Sequence, residues 1–177
     1  MPYLRVGDED LFYAVHPGQA ARLDVVLIHG AGGSHLVWPA ELRRVAGATV
    51  YALDLPAHGR SQGRARALIG EYASVLIGLL DALEVERAVL VGHSMGGAIA
   101  LQMALDYPQR VRALVLIATG ARLRVAPAFL QGLLSDYEGT LDAINRYAWG
   151  PQTPEAMIQQ GRRHLAQASP QAAQSDY

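Results

Sequence analysis

The chain has 177 residues, of which 51% are hydrophobic and 18% charged, a balance that predicts one folded domain and excludes a disordered protein. Fifteen Lys and Arg side chains against sixteen Asp and Glu give a net charge of −1, which argues against a nucleic-acid partner. The absence of cysteine excludes disulfides, thiolate metal sites and a cysteine nucleophile.

The N-terminal segment and the lengths of the apolar runs indicate whether the sequence contains a secretory signal or a membrane span. Residues 1–15 contain acidic side chains and lack the basic stretch and apolar core of a secretory signal. No apolar run reaches the roughly 20 residues that span a bilayer. We therefore expect a cytoplasmic enzyme without a membrane span.

Short apolar runs alternate with longer segments of helical period over the first 118 residues. This pattern predicts an α/β fold with a mostly parallel sheet, flanking helices and βαβ crossovers throughout. The run 24–30 is apolar through its centre, which predicts a strand buried on both faces. The predicted strands cover residues 11–15, 24–30, 48–56, 87–93 and 111–119, and the predicted helices cover 67–84 and 95–107.

The character of the sequence changes after Thr119, where helical stretches alternate with Gly and Pro and no strand-length apolar run occurs. We expect two or three helices lying over the sheet, one of them capped by Thr153, with Pro154 in its first turn, and ending near Ala168. The chain thus divides into a core, residues 1–120, and a helical region, residues 121–177, within one structural unit.

One motif carries chemistry. Gly92-His93-Ser94-Met95-Gly96 matches G-x-S-x-G, preceded by the apolar strand "AVLV" and followed by a helix rich in small residues. A nucleophile elbow needs this context, because a sharp strand-to-helix turn exposes the serine and small neighbours make room for the backbone. The pattern favours Ser94 as a nucleophile over the alternative, a structural turn serine.

Three segments make the chain resemble the α/β-hydrolase superfamily, over residues 10–120 and more weakly over 121–177, where the likeness is to its helical cap. "HGAGGS" (29–34) is similar to the family's H-G-x loop, "DLPAHGRS" (54–61) to its D-x-x-x-H-G-x-S loop, and "GHSMGG" to its elbow. The resemblance implies that the backbone N–H groups of Ala31 and Met95 form an oxyanion hole. It gives supporting roles to the other motif residues, His29, Gly30, Asp54, His58, Gly92, His93 and Gly96.

By this resemblance we expect a carboxylesterase-like acyl hydrolase in which Ser94 attacks the carbonyl of a small apolar ester, with no cofactor and no metal. Ser94 argues against the family members that use an Asp nucleophile for dehalogenation or epoxide opening. The alternative is a catalytically silent protein or a small-molecule binding module with this fold. A nucleotide site is disfavoured, because neither G-x-G-x-x-G nor G-x-x-x-x-G-K-[ST] follows a strand.

A serine nucleophile needs a base, which in this fold follows the serine and an acid in the chain. His164 is the one histidine after Ser94, but it lies on a polar helical face with no strand before it, which favours a surface or cap histidine over a base. His58 is an unorthodox alternative base, because it lies at the same strand end as the loop 29–34 that contains Ala31, here called the oxyanion loop. His16 and His35 are interpreted as loop residues, with His35 able to line the pocket. The later acids are interpreted as solvated charges rather than triad acids: Asp106, Asp136, Glu138, Asp142 and Glu155.

We therefore expect the triad acid and base, together with the last strands, to lie beyond Tyr177 in a longer protein. Residues 113–118 would then form an apolar sheet edge without a neighbour, from which we predict a marginally stable or self-associating protein.

Overall fold

A computed structural model describes residues 3–168 and 170–177. The six strands are β1 Tyr3–Val6, β2 Glu9–His16, β3 Leu23–Ile28, β4 Ala48–Leu53, β5 Ala88–His93 and β6 Val111–Ile117. The helices of the described part are α1 Ala40–Arg43, α2 Ile69–Ala82, α3 Met95–Asp106, α4 Pro127–Ser135, α5 Tyr137–Tyr147, α6 Glu155–Leu165 and α7 Pro170–Asp176. A short 3₁₀ turn covers His35–Val37.

The strands form one sheet in the order β1-β2-β4-β3-β5-β6. β4, β3, β5 and β6 run parallel, which confirms the predicted α/β class with a mostly parallel sheet. The prediction that every crossover is a βαβ unit is wrong, because β1 pairs antiparallel with β2 and β2 pairs antiparallel with β4. A tight turn at Gly7, with φ of +57°, joins β1 to β2, and so short a connection can only join antiparallel strands.

Both faces of the sheet are covered at its central strand, β3. Val26 and Ile28 point to the face on which α2 and α3 pack, and Val25 and Leu27 point to the face that holds Trp38. The prediction that this strand is buried on both sides is therefore confirmed. The C-terminal ends of β3, β4 and β5 meet at one edge, where the motif loops follow.

The helical region contains four helices in its described part, α4 to α7, rather than the two or three predicted. Leu133, Leu141, Ile144 and Ala173 form its apolar centre. The predicted cap at Thr153 is wrong: α6 begins at Glu155, and Pro154, extended at φ −58° and ψ 138°, occupies the cap position.

β6 lies at the edge of the sheet, and in the described residues no strand pairs with its outer side. Val115 and Leu116 are 45% and 43% exposed. The expected exposed apolar edge is therefore present. Among the described residues, no helix has both the length and the apolar character needed to cross a bilayer.

Candidate active site

Ser94 lies at the turn between β5 and α3. Its backbone has φ 51° and ψ −119°, a conformation that is strained for any residue with a Cβ. Its N–H donates to the Ile117 carbonyl at 2.9 Å, and its own carbonyl accepts from the Gly97 N–H at 2.9 Å. The strand ladder and the first helical turn therefore both hold the serine in the strained conformation.

The glycines of the motif allow the close packing that this turn needs. A Cβ at Gly92 would collide with the backbone of Gly96 and Gly97. A Cβ at Gly96 would collide with the carbonyl of Ile28, at the end of β3. The elbow can thus lie directly against the neighbouring strand only because these positions have no side chain.

The loop after β3 lies beside the serine. A Cβ at Gly30 would be 3.1 Å from the Cβ of Ser94 and 3.0 Å from Nδ1 of His93, the last residue of β5. Burial lowers the pKa of His93. In the described part of the chain, the N–H groups of Ala31 and Met95 have no hydrogen-bond acceptor. Free N–H donors are one requirement of an oxyanion hole.

His29 is buried and bridges two motif loops. Its Nε2 accepts from the Leu55 N–H at 3.0 Å, and its Nδ1 donates to the Gly30 carbonyl at 2.8 Å. Burial, assisted by the nearby His58, lowers the pKa of His29 to about 4. The ring is therefore neutral at physiological pH, with both nitrogens engaged in holding the loops.

Asp54 follows β4 and is fully buried. Its carboxylate accepts from the N–H of His35 at 2.5 Å, from Nδ1 of the same histidine at 2.9 Å and from the Arg60 N–H at 2.9 Å. Burial raises the pKa of Asp54, but these donors outweigh it and hold the pKa below its usual range. His35 is thus buried against Asp54 in a 3₁₀ turn. The interpretation of His16 as a loop residue is wrong, because His16 is the last residue of β2.

The ring of His58 is bonded to groups other than Ser94. Its Nδ1 lies 2.9 Å from the Pro56 carbonyl, and its Nε2 lies 2.6 Å from Oδ2 of Asp176. Burial lowers the pKa of His58, but the contact with Asp176 outweighs it, so the pKa is raised. Both ring nitrogens are therefore engaged by groups other than the Ser94 hydroxyl.

No hydrogen bond joins the later candidates to Ser94 in the described part of the chain. His164 lies in the last turn of α6, and burial, with Arg163 beside it, lowers its pKa. In the described residues the Ser94 hydroxyl makes no hydrogen bond to any histidine or acid. The five acids considered above each have a local partner: Asp106 with Gln102, Asp136 with the Gly139 N–H, Glu138 and Asp142 with Arg162, and Glu155 with Gln159.

Sequence reasoning missed Asp176. Its side chain is fully buried and bonds to Gly32, Tyr72 and His58, which precede it by 144, 104 and 118 positions. No local pattern in "AQSDY" marks these contacts, because they depend on how distant segments pack. The described residues show no cluster of three or more His, Cys, Asp or Glu side chains that could hold a metal.

A mostly parallel sheet with a serine elbow beside a glycine loop defines the class of the protein. The chain belongs to the α/β hydrolase fold family, whose sequence model matches residues 25–166.

Several proteins named for different activities are similar to this chain in sequence or in structure. A dihydrolipoyllysine-residue acetyltransferase component of the acetoin cleaving system from Pseudomonas putida is 40% identical over 137 residues, 72% of this chain and 34% of that protein. A pimeloyl-(acyl-carrier protein) methyl ester esterase from Pectobacterium carotovorum is 33% identical over 135 residues, 70% of this chain and 51% of the esterase. The crystal structure of a hydrolase from Pseudomonas aeruginosa matches with a TM-score of 0.83 at 28% identity, over 98% of this chain and 69% of that one. The chain therefore spans between about a third and about two thirds of the length of these relatives.

Proposed function

We propose that the protein is a carboxylesterase-like acyl hydrolase with Ser94 as its nucleophile. The observation that carries this proposal is the strained backbone of Ser94, held at φ 51° beside a glycine loop. Strain of this kind costs about 1–3 kcal/mol and is typical of functional positions. The esterase among the relatives supports the reaction class.

In the proposed reaction, Oγ of Ser94 forms a bond to the ester carbonyl carbon while the carbonyl π electrons move to oxygen. The N–H groups of Ala31 and Met95 then donate to this oxyanion, and each such donor is worth about 3 kcal/mol of barrier. Met95 also begins α3, whose N-terminal dipole favours negative charge. The proton of Ser94 passes to a base that we do not assign to His29, His58 or His164.

The helical region, residues 121–177, is proposed to act as a cap over this site. Leu165 and Ala168 come within 3.5 and 3.7 Å of the position that a Cβ at Gly32 would take. Their side chains are apolar, which favours an apolar acyl substrate. A cytoplasmic location, and self-association along the exposed edge of β6, remain predictions.

A fluorophosphonate probe tests the proposal, because a nucleophilic serine displaces its fluoride and keeps the phosphonyl group. We expect one adduct, located on Ser94 by peptide mass spectrometry and lost in Ser94→Ala. Ser74→Ala, which removes an exposed serine of α2, is the matched control and should be labelled like the natural protein. An unlabelled Ser94 would favour the alternative of a silent or ligand-binding hydrolase fold.

A further inference from the structure

The side chain of Asp176, at the end of α7, is fully buried and accepts from three donors. Its Oδ2 accepts from the Gly32 N–H at 3.0 Å and from Nε2 of His58 at 2.6 Å. Its Oδ1 accepts from the Tyr72 hydroxyl at 3.0 Å. Burying a carboxylate costs free energy unless hydrogen-bond donors surround it. Three donors converge on the Asp176 carboxylate, so the fold maintains this contact.

The oxyanion loop is held at two successive peptide units. The Gly30 carbonyl and the Ala31 N–H belong to one planar unit and point in opposite directions. His29 and the Gly33 N–H both donate to that carbonyl, at 2.8 and 3.0 Å, and so set the direction of the Ala31 N–H. The next unit carries the Gly32 N–H, and Asp176 is its acceptor. Gly32 has φ of +62°, so the loop turns sharply at this point.

We propose that Asp176 is a positioning residue that fixes the second peptide unit of the oxyanion loop and thereby holds Ala31 in place beside Ser94. The catalytic meaning of this contact rests on the proposed function. The positioning itself is a property of the loop and can be measured without turnover.

The partners of Asp176 are themselves anchored. His58 is held at its other nitrogen by the Pro56 carbonyl, and the Tyr72 hydroxyl also accepts from the Arg66 N–H at 3.2 Å. The loop after β4 and helix α2 therefore orient the carboxylate of Asp176.

α7 has attachments that do not involve the carboxylate. Ser175 Oγ donates to the Arg66 carbonyl at 2.8 Å, and the Gln174 amide donates to the Leu133 carbonyl at 3.0 Å. Removing the Asp176 carboxylate should therefore release the oxyanion loop while α7 remains attached. This separates a positioning role from a role in docking the helix.

The test compares backbone amide hydrogen exchange, by NMR, at Gly32 and at Val26 in the core of β3. In Asp176→Ala we expect exchange at Gly32 to become at least tenfold faster relative to Val26. Asp176→Asn keeps one acceptor oxygen and should show a smaller change. Ser175→Ala, which removes an attachment of α7 but touches nothing in the loop, is the control and should leave the ratio unchanged.

The second measurement is the rate of Ser94 phosphonylation, expected to fall tenfold or more in Asp176→Ala and less in Asp176→Asn. An unchanged Gly32 to Val26 exchange ratio in Asp176→Ala would overturn the proposal. So would equal effects of Asp176→Ala and Ser175→Ala. If Asp176→Ala does not fold, Tyr72→Phe decides, because loss of one donor should still speed Gly32 exchange about threefold, and no change there overturns the proposal. If the natural protein is not phosphonylated, the proposed function fails while the exchange ratio still decides the positioning.

Discussion

Asp54→Asn removes the negative charge of a fully buried carboxylate and leaves the volume of the side chain almost unchanged. The carboxylate accepts from three groups, the N–H and ring of His35 and the Arg60 N–H. An amide has one acceptor oxygen, and its NH₂ group would face at least one of these donors. The substitution therefore turns a satisfied buried network into one with opposed donors.

The expected cost follows from these bonds. A buried donor without an acceptor costs about 1–3 kcal/mol, and each remaining bond loses the part of its strength that came from the charge. We expect Asp54→Asn to lower the free energy of unfolding by about 1–3 kcal/mol, out of the roughly 5–15 kcal/mol that a domain has.

Urea unfolding, followed by circular dichroism at pH 7, measures this loss. Asp106→Asn is the control, because its carboxylate is exposed and bonds only to Gln102, and it should change stability by less than about 0.5 kcal/mol. Because the folded pKa of Asp54 is lowered, its contribution is present above the ordinary value of 3.8 and is lost as pH falls through the folded pKa. A loss under about 1 kcal/mol with an unchanged urea dependence would refute the reasoning.

Four further substitutions follow from the site and the sheet edge. Ser94→Gly should raise the free energy of unfolding by about 1 kcal/mol, because glycine accepts this backbone conformation, and should abolish phosphonylation. Gly96→Ala should lower both stability and phosphonylation, since its Cβ would overlap the Ile28 carbonyl; urea unfolding and adduct mass measure the two effects. The pKa of His29, about 4 against an ordinary 6.5, predicts that stability falls by about 3 kcal/mol as pH drops through this window, because only the unfolded chain takes up the proton. His29→Asn should flatten that slope in urea titrations. Leu116→Lys should favour the monomer in sedimentation velocity, because a charge disfavours pairing at a sheet edge.

A specific result would contradict each of these four predictions. A less stable Ser94→Gly would mean that the turn is not strained, and a fully labelled Gly96→Ala would mean that the elbow does not need its close packing. An unchanged pH slope in His29→Asn would remove the histidine as its cause. A natural protein that is already monomeric would contradict self-association at β6.

The predictable part of the fold has local causes. The strand before Ser94 and the helix after it were predicted to within about one residue. Their signals, the apolar periodicity and the glycine spacing, lie in neighbouring positions of the sequence. The antiparallel start of the sheet was not predicted, since Tyr3–Val6 is short and its burial depends on β2.

The candidate site divides in the same way. The elbow and the glycine loop could be recognised from short motifs, whereas the partners of His58 and His35 could not. His58 was interpreted as a potential base because the sequence does not show that a carboxylate 118 positions later occupies its second nitrogen.

Thr153 was interpreted as a cap because it precedes Pro154, but that proline is extended and the helix begins after it.

The contact between Gly32 and Asp176 also orders events during synthesis. The loop leaves the ribosome early, but its acceptor is made 144 residues later. At roughly 5–20 residues per second, that interval is about 7–30 s. For this period the nascent sheet can assemble around β3 while the loop beside Ser94 lacks its last hydrogen bond. The loop after β3 is therefore expected to become rigid only after the neighbouring strands have paired, so that a nascent chain with its strands already assembled would still lack this contact.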